Sequence, residues 1–365
     1  MNRQPHHSRT LRPVAPGRGQ GKERAMKPVV VVVLAALALV VPAILAATAG
    51  ATAPGRNGDI AFRRYFDAQK SWGAVFTVGA DGSRLRQVTH PKPGVVDDFP
   101  RWAPDGSLIT FTRCAPDGIH CHLWVVGADG SALAPVGRLC PAGANEQSCP
   151  DDANGSFSPD SKRIAFTQST GRVRTDAHGE GTIEHSALAL INPDGSGRQV
   201  IYQSPAFSGD TDAPTFSPDG KQLVFDRQVS GFSQPAGKHA VYVIDVNGSH
   251  LRRLTPWDDD DGDHTDWSPD GKWIVFHSHL DDPAAQSQIV LILPDGSGRK
   301  QLTHFPPGTT VGRSGFSPDG TSIVLAKGPV GGNVDVFTMR LDGSQLQRLT
   351  RSPRWESAPD WGPAP

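Results

Sequence analysis

Five stretches of this chain are near-copies of one another, and their repetition constrains the fold more than any other feature. They are "PRWAPDGSLITF" from Pro100, "GSFSPDSKRIAF" from Gly155, "PTFSPDGKQLVF" from Pro214, "TDWSPDGKWIVF" from Thr265 and "SGFSPDGTSIVL" from Ser314. Each reads as a strand, a tight turn and a second strand. In the turn, Pro presets φ, Asp bonds its own backbone, and Gly takes a left-handed conformation. A second motif runs in step: an alternating apolar strand, Asp-Gly-Ser or Asn-Gly-Ser, and a short strand often ending in Leu-Thr. Its six copies begin at Val75, Leu123, Leu188, Val241, Ile289 and Val336. Asp-Gly and Asn-Gly between alternating strands are hairpin signals, because those residues accept positive φ.

Each unit therefore holds four antiparallel strands. Radial repetition of such units predicts an all-β, six-bladed β-propeller over residues 55–365. The first unit begins at "NGDIAF" (Asn57), which matches a second strand, and "SAPDWGP" (Ser357 to Pro363) matches the first strand it lacks. The C-terminal strand is expected to join the first blade and close the ring, leaving no open edge. Gly at 40 positions and Pro at 32 suit a fold of many short strands and turns.

Residues 1–49 carry seven Lys or Arg against Glu23 alone, a net +6, which leaves 29 basic and 36 acidic residues, a net −7, for the rest. An acidic domain repels phosphate, so nucleic acid and anionic lipid are set aside as partners. Residues 1–25 are basic and without periodicity, and read as a disordered or untranslated segment. Residues 26–49 have a basic start, an apolar run and an Ala47-Thr48-Ala49 site, the layout of a signal peptide. The alternative is a membrane anchor over Val29 to Ala47, the one route to a membrane. Either way the expected location is extracytoplasmic: secreted, periplasmic or at the cell envelope. Cys114, Cys121, Cys140 and Cys149 agree with export. Four cysteines allow three connectivities; the local pairs are preferred because each closes a short loop, and a redox pair is the functional alternative.

The interleaved W/F-S-P-D-G and D-G-S repeats resemble the propeller of the TolB family, over the span from about Gly55 to Pro365. Full TolB proteins carry a separate α/β domain before the propeller, and there is no room for one between Ala49 and Asn57, so the resemblance is to the propeller module.

The repeated residues are scaffold: Trp102, Phe157, Phe216, Trp267, Phe316 and Trp361 are expected to pack blade on blade. Function is sought in what differs between copies. All four cysteines and the longest insertions, Thr167 to Ser186 and Asp226 to Ala240, fall on the face opposite the repeated turns. Acids precede the innermost strands: Asp98, Asp212 and Asp263 four residues before the aromatic, Asp152 and Glu356 five before it, with Gly312 and Arg313 in the sixth unit. These five acids are the candidate partner-binding residues, an acidic ring at the channel mouth, against the alternative of plain strand-end solvation.

Asp259, Asp261 and Asp263 in "DDDDGD" form a candidate oxygen-only Ca²⁺ site, although the helix-loop-helix spacing fails and a solvated acidic loop is the competing reading. No motif requires a cofactor. His264, His277, His279 and Asp281 are the one histidine grouping with metal-site chemistry. G-x-S-x-G, G-x-x-x-x-G-K-S/T and H-E-x-x-H are absent, and no residue is assigned a catalytic role. The chain is thus expected to be a monomeric, non-enzymatic binding scaffold that offers its mouth and variable loops to a protein or peptide. The alternative is a metal-dependent lyase or hydrolase acting on extracellular glycan, since some polysaccharide lyases carry similar repeats.

Overall fold

The computed structural model describes residues 55–116, 120–141, 144, 149–175, 181–206, 208–229, 238–278 and 287–365. The basic segment 1–25 and the apolar segment 26–49 lie outside the described residues. Among the described residues no helix is long and apolar enough to cross a membrane. Apart from a single 3₁₀ turn at Trp257–Asp259, their regular structure is β.

The repeats act locally through their turns. Ser268 Oγ donates to Asp270 Oδ1 at 2.7 Å, and that carboxylate accepts the Lys272 N–H at 3.1 Å. The Trp273 N–H returns to Ser268 Oγ at 2.8 Å, and Gly271 sits at φ 71°. Ser158 with Asp160, Ser217 with Asp219 and Ser317 with Asp319 repeat the first contact. In the second motif Asp81 Oδ1 accepts both the backbone N–H of Ser83, at 2.9 Å, and its hydroxyl, at 2.5 Å. Serine and aspartate thus close the turn with side-chain bonds, and glycine supplies the positive φ.

Six strands carry the repeated aromatic: Val96–Trp102, Asp151–Phe157, Asp210–Phe216, Asp261–Trp267, Thr309–Phe316 and Glu356–Pro363. We call these inner strands 1 to 6, because each touches the inner strand before it and the one after it. Their aromatics enter the core, with Phe157, Phe216, Trp267, Phe316 and Trp361 all buried. Trp267 packs with Ile274, Phe276 and Val290 of its own repeat and with Val224, Val241 and Val243 of the repeat before.

Adjacent inner strands are also joined by polar contacts one residue before the aromatic. Ser156 Oγ donates to Pro214 O at 2.5 Å, and Thr215 Oγ1 donates to Thr265 O at 2.9 Å. Asp266 Oδ2 accepts the Phe316 N–H at 2.9 Å, and Asp360 Oδ2 accepts the Trp102 N–H at 2.8 Å. These bonds satisfy backbone groups that no sheet ladder reaches.

The expectation of six separate four-stranded blades closed into a propeller ring is corrected by the sheet topology. Among the described residues the hydrogen-bonded sheets number five, one of eight strands and four of four strands, and none of these closes on itself. Strand Gly73–Val78 of the first repeat pairs in parallel with inner strand 1 at Gly73 and Val96, fusing the first two repeats. The contact is local: the Gly73 N–H donates to Val95 O at 3.2 Å. Inner strand 6 pairs antiparallel with Asn57–Tyr65 and forms the edge of the same eight-stranded sheet.

Candidate functional site

Each inner strand is irregular at the end away from the repeated turns. Five of them place a non-glycine residue in the left-handed region there: Phe99 (φ 50°), Asn154 (54°), Ala213 (51°), His264 (56°) and Ala358 (53°). Register shifts accompany them, for example between Asp98 and Arg101 and between Gly262 and Asp266. Inner strand 5 shifts between Gly312 and Ser314, around Arg313. A bulge of this kind re-aims one side chain out of the ladder. Holding Phe or His at positive φ costs on the order of 1–3 kcal/mol, a strain that clusters at sites of function.

The candidate acids divide by this geometry. Asp98 and Asp212 directly precede the bulge residue, whereas Asp152 and Glu356 lie one position further back, where the side chain turns to the other face of the strand. Asp98 is ion-paired with Arg63 and accepts the Phe99 N–H at 2.6 Å. Asp212 Oδ1 accepts from Asn154 Nδ2 at 2.6 Å, from Ala213 N–H at 2.8 Å and from Thr167 Oγ1 at 3.1 Å. Asp152 takes both Nη atoms of Arg198, at 2.8 and 2.6 Å. Glu356 is buried against Arg64, and burial pushes its carboxyl above the ordinary range. The Asp263 side chain lies outside the described residues. The sequence reading overlooked Asp97, which occupies the same offset as Asp152 and takes Arg113 at 2.6 and 2.8 Å. These carboxylates are therefore already compensated within the fold.

Beside the bulges lies a pocket of about 230 Å³, lined among others by Arg63, Phe99, His264, Arg313, Trp355 and Ser357. Phe99 stacks on His264 with ring centroids 4.8 Å apart and planes at 18°. Arg63 is held at the wall by Asp98 and Ser357, with its guanidinium 4.4 Å from the Tyr65 ring centroid. Trp355 Nε1 donates to Ser357 Oγ at 3.1 Å. Arg313 is 5% exposed, and its Nη1 has no hydrogen-bond partner among the described residues. Burial pushes the nearby Tyr65 phenol up to about 12, with the Asp98 charge as the second cause.

Two residues beyond Phe99, Arg101 crosses between strands. Its Nη1 lies 3.4 Å from Asp266 Oδ1 and 3.5 Å from Asp360 Oδ1, and its Nη2 donates to Thr215 Oγ1 at 3.1 Å and to Thr265 O at 3.3 Å. Inner strands 1, 3, 4 and 6 thus converge on one buried guanidinium. The signal was present in the sequence: the residue before each aromatic is Arg101, Ser156, Thr215, Asp266, Gly315 or Asp360, one cation among small residues and two acids.

The remaining candidates lie elsewhere. Asp261 takes Arg299 at 2.9 and 3.0 Å, and Asp259 lies 3.8 Å from the same guanidinium, so an arginine occupies the place between two of the three proposed Ca²⁺ ligands. His277 is buried in Ile274–Ser278, while His279 and Asp281 lie outside the described residues. The cysteines are joined locally, Cys114 with Cys121 and Cys140 with Cys149. His122 lies beside the second bridge, but sulfurs joined to each other offer no thiolate to a metal. Asp245, Ser249 and His250 meet in one turn, yet both contacts to the imidazole use Nδ1, at 2.7 and 3.2 Å. A proton relay needs the two ring nitrogens in different roles.

A family model described as the TolB beta propeller domain matches residues 184–364. The chain carries a TolB-type β-propeller domain. The chain is similar to the crystal structure of TolB from Acinetobacter baumannii, with TM-score 0.63 and 20% identity, over 84% of this chain and 67% of that one. A structure assigned as TolB from Agrobacterium tumefaciens gives TM-score 0.54 and 18% identity, over 84% of this chain and all (100%) of that one. At these identities the likeness is one of fold alone. In sequence, the chain is 26% identical to an uncharacterized protein of Agrobacterium fabrum over 241 residues, 54% of this chain and 75% of that protein. It is 32% identical over 114 residues to Dipeptidyl-peptidase 5 of Porphyromonas endodontalis, spanning 30% of this chain but only 15% of the peptidase.

Proposed function

We propose that this chain is an extracytoplasmic, non-enzymatic binding module that receives a segment of a protein or peptide partner at the bulged ends of its inner strands. The observation that carries this reading is the pocket itself: bulges on inner strands 1 and 4 hold Phe99 and His264 in strained conformations that line it, and Arg313 joins them from inner strand 5. Rigid strands carry these groups, so a flexible segment docks with little ordering cost on the receiving side. The pairing of Asp98, Asp152, Asp212 and Glu356 with arginines or amides makes the rim zwitterionic, and the partner is selected by shape and by the arginines rather than by an excess of carboxylates. The two disulfides brace the neighbouring loops and fit an oxidising compartment.

Affinity capture from the native cell envelope tests the reading. The mature protein, a Phe99→Ala/Trp355→Ala variant and an Asp81→Asn control on the repeated-turn face serve as baits. The expected result is one polypeptide, identified by mass spectrometry, retained by the first and third baits and lost from the second. Equal retention by all three, or metal-dependent turnover of a glycan substrate by the purified protein, overturns it.

A further inference from the structure

Arg313 brings to the pocket a guanidinium whose Nη1 is unsatisfied. Its side chain is 5% exposed, its Nη1 is buried, and among the described residues nothing accepts from it. The other guanidinium at the wall differs: Arg63 already meets Asp98 and Ser357. Removing a guanidinium from water without an acceptor costs several kcal/mol, so such a group calls for an explanation, and a bound anion supplies one. A second donor points the same way. Ser357 Oγ accepts from both Arg63 and Trp355, which occupies its two lone pairs and leaves its hydroxyl proton to give. The pocket thus offers an anion one unused guanidinium edge and one hydroxyl, beside the stacked faces of Phe99 and His264.

We propose that this pocket binds a carboxylate, held by Arg313 and Ser357, on a peptide residue whose apolar part lies against Phe99 and Trp355. The inference rests on the binding reading above and specifies what the pocket recognises. The planar fork of Arg313 matches the two oxygens of a carboxylate. A volume near 230 Å³ takes one residue and falls below the roughly 300–1,000 Å³ of sites that enclose a drug-sized ligand. The carboxylate is either a chain terminus or an Asp or Glu side chain. The geometry is the same for both.

Calorimetric titration of the mature protein with three blocked dipeptides decides the matter: N-acetyl-Ala-Phe with a free C-terminal carboxylate, its C-terminal amide, and N-acetyl-Glu-Phe amide. The expected result is at least about tenfold tighter binding of one or both carboxylate-bearing peptides than of the neutral amide. Whichever carboxylate peptide binds identifies the source. The preference is expected to vanish in Arg313→Met and to survive only partly in Arg313→Lys, which keeps the charge but loses the fork. Thermal unfolding supplies an independent readout: Arg313→Met removes a buried charge without a partner, so its Tm is expected to be equal to or above that of the parent. No preference for carboxylate, a preference that persists in Arg313→Met, or a lower Tm in that variant overturns the inference. A partner captured by the parent and by Arg313→Met alike, but not by Phe99→Ala/Trp355→Ala, overturns the carboxylate assignment and leaves the binding function standing.

Discussion

Asp360 Oδ2 accepts the backbone N–H of Trp102 at 2.8 Å, and its other oxygen lies 3.5 Å from the guanidinium of Arg101. One carboxylate therefore fixes the last inner strand to the first, and the same guanidinium extends the connection to Asp266 and Thr215. Arg101→Met is expected to strand two buried carboxylates and to cost about 3–5 kcal/mol in urea unfolding. Burial already pushes Asp360 above its ordinary value, and Arg101 opposes that rise. A carboxyl raised in the folded state binds more protons there than in the unfolded chain, so its contribution falls as pH rises. The loss in Arg101→Met is therefore expected to be greatest near neutral pH and smaller as pH drops towards the ordinary carboxylate value. A loss independent of pH contradicts the assignment.

The Asp-Gly-Ser turns make the opposite prediction. Hydrogen bonds from Ser83, Ser131, Ser196, Ser297 and Ser344 hold Asp81, Asp129, Asp194, Asp295 and Asp342 below the ordinary 3.8. Depressed folded values contribute stability that is present above the unfolded value and lost as pH falls through the folded one. Asn247 makes the same bonds to Ser249, at 2.9 and 2.6 Å, with no proton to gain. Replacing the five aspartates by asparagine is expected to keep the fold and to reduce the loss of Tm between about pH 4 and pH 2. An unchanged acid profile refutes it.

Tyr65 is expected to ionise near 12 in a folded-state NMR titration. Asp98→Asn removes a negative neighbour and frees Arg63, so the Tyr65 value is expected to fall. A value that stays put or rises removes Asp98 as a cause.

Each disulfide closes a short loop, Cys114 to Cys121 over a sequence separation of 7 and Cys140 to Cys149 over 9. Chain-entropy arguments give about 2–3 kcal/mol for loops of this length. Reduction by dithiothreitol is expected to lower the urea midpoint accordingly. No shift in the midpoint means that the loops are held by other contacts.

Much of this architecture was legible in the sequence because it is local. Ser268, Asp270 and Gly271 close their turn within a few residues, and the alternation in "IVF" and "VYV" marks the strands directly. What escaped was set by distant partners. The fusion of the first two repeats depends on Gly73 meeting Val95 and Val96, and no pattern around Gly73 announces it. The acids were found by position, but their charge state was not: Arg64 faces Glu356 only because the strand near the start of the described residues pairs with the last one. Asp97 beside Asp98 shows the same limit, since neighbours in sequence pair with Arg113 and Arg63 on different strands. Arg313 was visible merely as the cation next to Gly312; that Nη1 is buried without a partner among the described residues belongs to the packing alone.

The central claim is that partners engage the bulged ends of the inner strands. Site-specific photocrosslinking in living cells tests it most directly, with benzoylphenylalanine placed at Thr310 on the pocket rim or at Lys272 on the repeated-turn face. The account predicts a discrete crosslinked species from Thr310 and none from Lys272. A crosslink from Lys272 with none from Thr310 would contradict it.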